Sequence, residues 1–178
     1  MMKKLTLALS LLMLTGCITT EMPNAGKPYN PQTDARVRIF GQNERPTIMY
    51  VEVNGKEEKI NVGGSFGQAF SSMLRIKGNE SIGMPETPLS KDPSILSGIL
   101  SKSFFKEFII PAGKEITVKN GMRTVPHTFT DATGKTTTSY KYCEENNKFT
   151  FIPLAGKDYE VAPSSNINDC RIYVTEIK

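Results

Sequence analysis

The stretch F-I-I-P-A-G-K-E-I-T-V, residues 108–118, returns in altered form as F-I-P-L-A-G-K-D-Y-E-V, residues 151–161. Aligned over 107–118 and 150–161, the copies share Phe, Ile, Ala, Gly, Lys and Val at six of twelve positions. Each copy reads as the end of one strand, a tight turn and the start of the next. Pro111 and Pro153 stand at strand ends, where a missing N–H is tolerated. Gly113 and Gly156 supply the backbone freedom that a tight connection needs. One turn chemistry used twice in a single sheet structure explains the recurrence. The alternative is a duplicated interaction surface that displays Lys114 and Lys157.

Period-two alternation spreads outward from these turns. In A-R-V-R-I-F (35–40), Val37 and Ile39 share one face and Arg36 and Arg38 the other, the pattern of a half-buried strand. T-I-M-Y-V-E-V (47–53) is rich in β-branched and aromatic residues and breaks at Asn54-Gly55, a strong hairpin signal. The return strand is E-K-I-N-V (58–62), and further runs follow at 114–119, 124–130, 137–142, 148–152, 158–161 and 170–177. In the last, Cys170, Ile172 and Val174 share a face. The stretch 65–103 departs from this pattern: Asp92-Pro93 makes an N-cap and first-turn pair, and Ile95, Leu96 and Ile99 recur at helical spacing. The expectation is an all-β antiparallel sandwich over 35–178 with a short helical insertion around 65–103.

Residues 1–16, M-M-K-K-L-T-L-A-L-S-L-L-M-L-T-G, read as a signal peptide. Lys3 and Lys4 precede an apolar run from Leu5 to Leu14, far short of the roughly 20 residues that a membrane-spanning helix needs. Leu14-Thr15-Gly16-Cys17 resembles the lipobox of bacterial lipoproteins, which implies cleavage before Cys17 and its acylation. Several acyl chains hold a protein stably on a membrane, where a single chain does not. Ile18 follows the cysteine in place of Asp, and by analogy with envelope sorting signals this implies an outer-membrane anchor facing the periplasm. Residues 17–34 carry Pro23, Pro28 and Pro31 and few apolar residues, and read as a flexible tether.

The chain has 22 basic and 18 acidic residues, and losing the leader removes two lysines and no acid. No Lys/Arg cluster of the kind that grips nucleic acid remains. With Cys17 lipidated, Cys143 and Cys170 are an even pair in a compartment that permits disulfides. Their bridge would close a loop of about 27 residues, worth roughly 3.5 kcal/mol in the chain-entropy picture. No metal ligand set at zinc spacing is present, and no cofactor is expected.

Val51-Glu52-Val53-Asn54-Gly55-Lys56 and the two Ala-Gly-Lys turns resemble small Ig-like or PEGA-like domains of bacterial envelope proteins. The resemblance implies a mostly non-catalytic module and transfers no site residue. The leading expectation is therefore a lipid-anchored binding or envelope-assembly module with a protein partner. Tyr140 and Tyr142, in the aromatic-rich C-terminal strands, join Lys114 and Lys157 as candidate contact residues. An alternative in the same location is the outer-membrane lipoprotein of a secretion apparatus, as in type VI systems. An inhibitor of host or competitor enzymes is another. Gly63-Gly64-Ser65-Phe66-Gly67 fits G-x-S-x-G, with Asp92 and His127 in hydrolase order, so a Ser65-dependent hydrolase is a further alternative. The antiparallel strand pattern argues against it, since that motif works at the top of a parallel βαβ sheet.

Overall fold

A computed structural model describes residues 18–42, 45–63, 78–96, 102–121, 127–139, 147–166 and 169–178. Two sheets pack face to face around one main core. The first has the order β1-β4-β3-β6-β9, from Ile18–Thr19, Lys56–Val62, Thr47–Val53, Ile116–Asn120 and Lys148–Phe151. The second has the order β11-β10-β2-β5, from Ile172–Ile177, Asp158–Pro163, Asp34–Gly41 and Phe104–Pro111. A separate hairpin pairs β7 (His127–Thr130) with β8 (Thr136–Ser139).

The alternation read from the sequence selects the core. Along β3, Thr47, Met49, Val51 and Val53 are buried, while Ile48, Tyr50 and Glu52 are more exposed. Met49, Ile60, Val62, Ile116 and Val118 from the first sheet meet Val37, Ile39, Phe108, Ile110 and Val161 from the second. Each such aliphatic side chain contributes roughly 1.5–3 kcal/mol when fully buried. The Asn54-Gly55 turn has positive φ at both residues, 53° and 78°, as the hairpin signal predicted.

The sandwich architecture is as expected, with differences in detail. Two joins are parallel: β1 runs alongside β4, and β10 alongside β2. Periodicity says which residues share a face but carries no information about a partner's direction. The insertion is lightly helical, with α1 at Pro88–Lys91 and a 3-10 turn at Pro93–Leu96. Thr87 caps α1 through Ser90, and Asp92 opens the 3-10 turn by accepting from the Ser94 N–H at 3.1 Å.

The second sheet's outer face is covered, which corrects the half-buried reading of β2. Phe40 and Phe105 on that face join Ala162, Leu96 and Leu89 in a small second core. Phe40 is fully buried and Arg38 is 1% exposed. Residues 79–96 therefore form a third layer.

The segment expected as a free tether lies against the domain. Ile18 and Thr19 pair with Lys59 and Ile60, and Met22 enters the main core. Lys106, on the edge strand of the other sheet, donates to the Thr20 carbonyl at 3.2 Å and to Glu21 at 2.9 Å. The chain thus crosses from one sheet edge to the other and closes that side of the sandwich. The prolines fit because they fall in turns and irregular backbone. Residues 23–26 and 31–33 turn, closed by N–H donation from Ala25 to Met22 and from Thr33 to Asn30.

The two Ala-Gly-Lys turns are neighbours. The Gly113 N–H donates to the Pro153 carbonyl at 2.8 Å, tying one copy to the other. Ala112 and Gly156 donate to the carbonyls of Thr33 and Asp34, so both turns also grip the start of β2. Gly113 and Gly156 hold φ of 76° and 75°, a region that costs a residue with a Cβ roughly 1–2 kcal/mol. A Cβ at Gly156 would stand 3.2 Å from the Pro31 carbonyl oxygen, whereas one at Gly113 would meet nothing within 4 Å. In denaturant unfolding, Gly156→Ala is expected to lose more stability than Gly113→Ala. Equal losses would mean that the Pro31 contact does not constrain the turn.

Candidate functional surfaces

The register of the second sheet sets opposite charges across from one another. Arg36 faces Asp158, and Arg38 faces Glu160 on one side and Glu107 on the other. Arg36 forms a two-pronged pair with Asp158 at 2.7 and 2.6 Å. Arg38 donates twice to one oxygen of Glu107, at 2.9 and 2.6 Å, and to Glu160 at 3.2 Å. Its remaining reach goes to the Pro85 carbonyl at 2.8 Å, and its guanidinium lies 5.1 Å from the Phe105 ring centre. The other oxygen of Glu107 accepts from the Ser81 hydroxyl and from the backbone N–H groups of Ile82 and Met84. Thr87 donates to Glu160 at 2.6 Å.

This cluster is a fastening rather than a reactive site. Arg38 and Glu107 are shut off from water, and their hydrogen-bonding capacity is spent on one another and on the covering segment. It went unremarked in the sequence, although R-x-R at 36–38 and D-x-E at 158–160 share the period of a strand and signal a charge ladder. Removing one member strands a buried charge, which costs about 3–5 kcal/mol. Arg38→Ala is expected to lose that much in equilibrium unfolding. A loss under about 1 kcal/mol for Arg38→Ala, the range of an exposed pair, would show that water reaches the cluster.

Strand directions sort the connections into two ends. At one end lie the turns 54–55, 112–115 and 152–157, the start of β1 and the end of β11. At the other lie the connections between β2 and β3, β4 and β5, β6 and β9, and β10 and β11, of which 63–103 and 121–147 are the longest. Loops carried by a rigid scaffold are where binding residues concentrate. The loop end presents Ile95 and Tyr173, which are 59% and 45% exposed. Phe129, 61% exposed, stands on the hairpin that β6 and β9 carry from this end. There Arg171 pairs with Asp169 and stacks near the Tyr173 ring, at 5.7 Å from its centre. The Arg171 guanidinium holds the Asp169 carboxyl well below the usual carboxylate range.

The candidate residues from the sequence fall differently. Lys114 pairs with Glu52, and Lys157 with Glu176 at 2.7 Å. Both lysines are half exposed on the rim of the turn end, engaged in ordinary surface ion pairs. Glu176 also raises the Lys157 ammonium above its usual value. Cys170 is half buried two residues before β11. Cys17, Cys143, Tyr140, Tyr142 and Ser65 lie outside the described residues. Asp92 is exposed and occupied by its turn, and His127 lies on β7 across from Ser139.

A cleft of about 240 Å³ lies between residues 21–26, residues 80–82 and β5. It is smaller than the roughly 300–1,000 Å³ typical of small-molecule sites. Two of the carboxylates lining it, Glu21 and Glu80, are held by Lys106 at 2.9 and 3.1 Å. Burial would lower the Lys106 ammonium, but these carboxylates keep it above its usual value. Among the described residues, no group of three His, Cys, Asp or Glu stands where a metal ion would be held. Among them, too, no helix is long and apolar enough to cross a membrane. No protein-family model, curated protein or solved structure matches the chain.

Proposed function

We propose that this chain is a lipid-anchored periplasmic module of the outer membrane that binds an envelope protein without chemistry of its own. Acylated Cys17 is the anchor, and a Cys143–Cys170 bridge belongs to the same reading. The supporting observation is the polarity of the sandwich. The turns 54–55, 112–115 and 152–157 and the start of β1 gather at one end, and the two longest connections, 63–103 and 121–147, leave from the other. A chain anchored just ahead of Ile18 holds the turn end near the membrane and presents the loop end outward. Both broad faces are poor alternatives. The second sheet is covered by residues 79–96, and the first sheet's outer face carries Lys59 over the Tyr50 ring and a Thr117–Thr150 hydroxyl pair.

The test combines fatty-acid labelling with site-specific photocrosslinking in cells. The wild-type chain is expected to take up label and fractionate with membranes, and Cys17→Ala to do neither. A photoreactive residue at Phe129 or Tyr173 is expected to capture a discrete envelope protein, and one at Thr150 on the open sheet face to capture none. Absence of label contradicts the anchor. Adducts at Thr150 with none at the loop end contradict the assignment of the binding surface.

A further inference from the structure

We propose that the turn end of the sandwich rests directly on the phospholipid surface, with Ile152 and Leu154 as its apolar contacts. The inference depends on the lipid anchor at Cys17 and goes beyond it. An anchored domain on a flexible tether has no fixed orientation, whereas this one has no slack. Ile18 is already in register with Lys59 of β4, so an anchor on the residue before it leaves no flexible linker to the sandwich. β1 runs parallel to β4, so its first residue points back toward the turn end. Whatever holds Cys17 in a bilayer brings the turns 54–55, 112–115 and 152–157 to the headgroups.

What those turns offer a membrane is apolar and rigid. Ile152 and Leu154 are 58% and 59% exposed, two large hydrophobic side chains on the same connection. Pro153 between them is buried, and its carbonyl is held by Gly113. The Leu154 N–H donates to the Tyr159 hydroxyl at 3.0 Å, and the Tyr159 ring packs on Phe151 at 5.3 Å. The side chains thus project from a fixed loop. Lys56, Lys114 and Lys157 around them are each paired with a glutamate, so these lysines offer little free positive charge to a surface. Contact of this kind does not require anionic lipid. Two side chains of this size orient a protein already anchored, and do not hold it on a membrane alone.

The chain contains no tryptophan, so one introduced residue reports alone. Leu154→Trp and, as a second reporter of the same loop, Ile152→Trp are compared with Tyr173→Trp at the far end of β11. Each full-length protein is extracted from membranes and reconstituted into zwitterionic vesicles with brominated acyl chains, and flotation is measured on the same samples. The expected result is flotation of all three, blue-shifted emission quenched at least twofold at positions 154 and 152, and little quenching at 173. Flotation with equal quenching at both ends, or with stronger quenching at 173, overturns the docking and leaves the anchor standing. Failure to float overturns the anchor and this inference together.

Discussion

Arg38 carries a full charge into a place that water does not reach, and much of the molecule is arranged around satisfying it. Burying an ion costs several kcal/mol, repaid only when partners and hydrogen bonds are nearly complete. Glu107 and Glu160 flank it in register on neighbouring strands, and the Pro85 carbonyl takes one of its remaining donors. Those carboxylates in turn hold Ser81, Ile82, Met84 and Thr87. One guanidinium thereby fastens the covering segment to three strands. The apolar contacts of Leu89 and Leu96 on Phe40 and Phe105 add the hydrophobic part of the same closure.

That closure shapes what the molecule can do. With one broad face sealed, the surfaces left for recognition are a polar sheet face and two unlike ends. At the turn end, the paired Ala-Gly-Lys turns grip Thr33 and Asp34 at the root of β2. Asp34 is buried there and accepts from Lys27 at 3.0 Å and from the Asn30 N–H at 3.1 Å. Burial alone would raise its carboxyl, but these donors keep it below the usual value of 3.8. Its contribution to stability is thus complete above that value and fades as the pH falls further. The turn end is rigid by construction, and the long connections lie at the opposite end.

The strands were legible where alternation met a clear turn. Residues 47–53 and the Asn54-Gly55 hairpin stand where the sequence put them, because side-chain period and turn chemistry act locally. Both copies of the repeated line turn at a glycine of positive φ, as their Pro and Gly imply, but nothing local in the sequence shows that the copies bond to each other. What escaped was non-local. Alternation showed that Arg36 and Arg38 share a face, but the 79–96 layer over that face depends on partners far along the chain. The prolines at 23, 28 and 31 argued against a strand, yet two residues of pairing at Ile18–Thr19 and the grip of Lys106 suffice to dock the segment. Of the candidate residues, Lys114 and Lys157 are rim ion pairs, while the exposed Phe129 and Tyr173 drew no notice as contacts because alternation cannot tell an outward face from an unpartnered one.

Hydrogen exchange at the backbone amides of Ile82 and Met84 tests the central closure most directly. Both donate to a buried oxygen of Glu107, at 2.7 and 3.2 Å, and neither belongs to a strand or helix. If the charge cluster locks the third layer, these amides exchange only with the unfolding that also releases β5. Exchange at the rate of an open loop, with β5 still protected, would contradict the account.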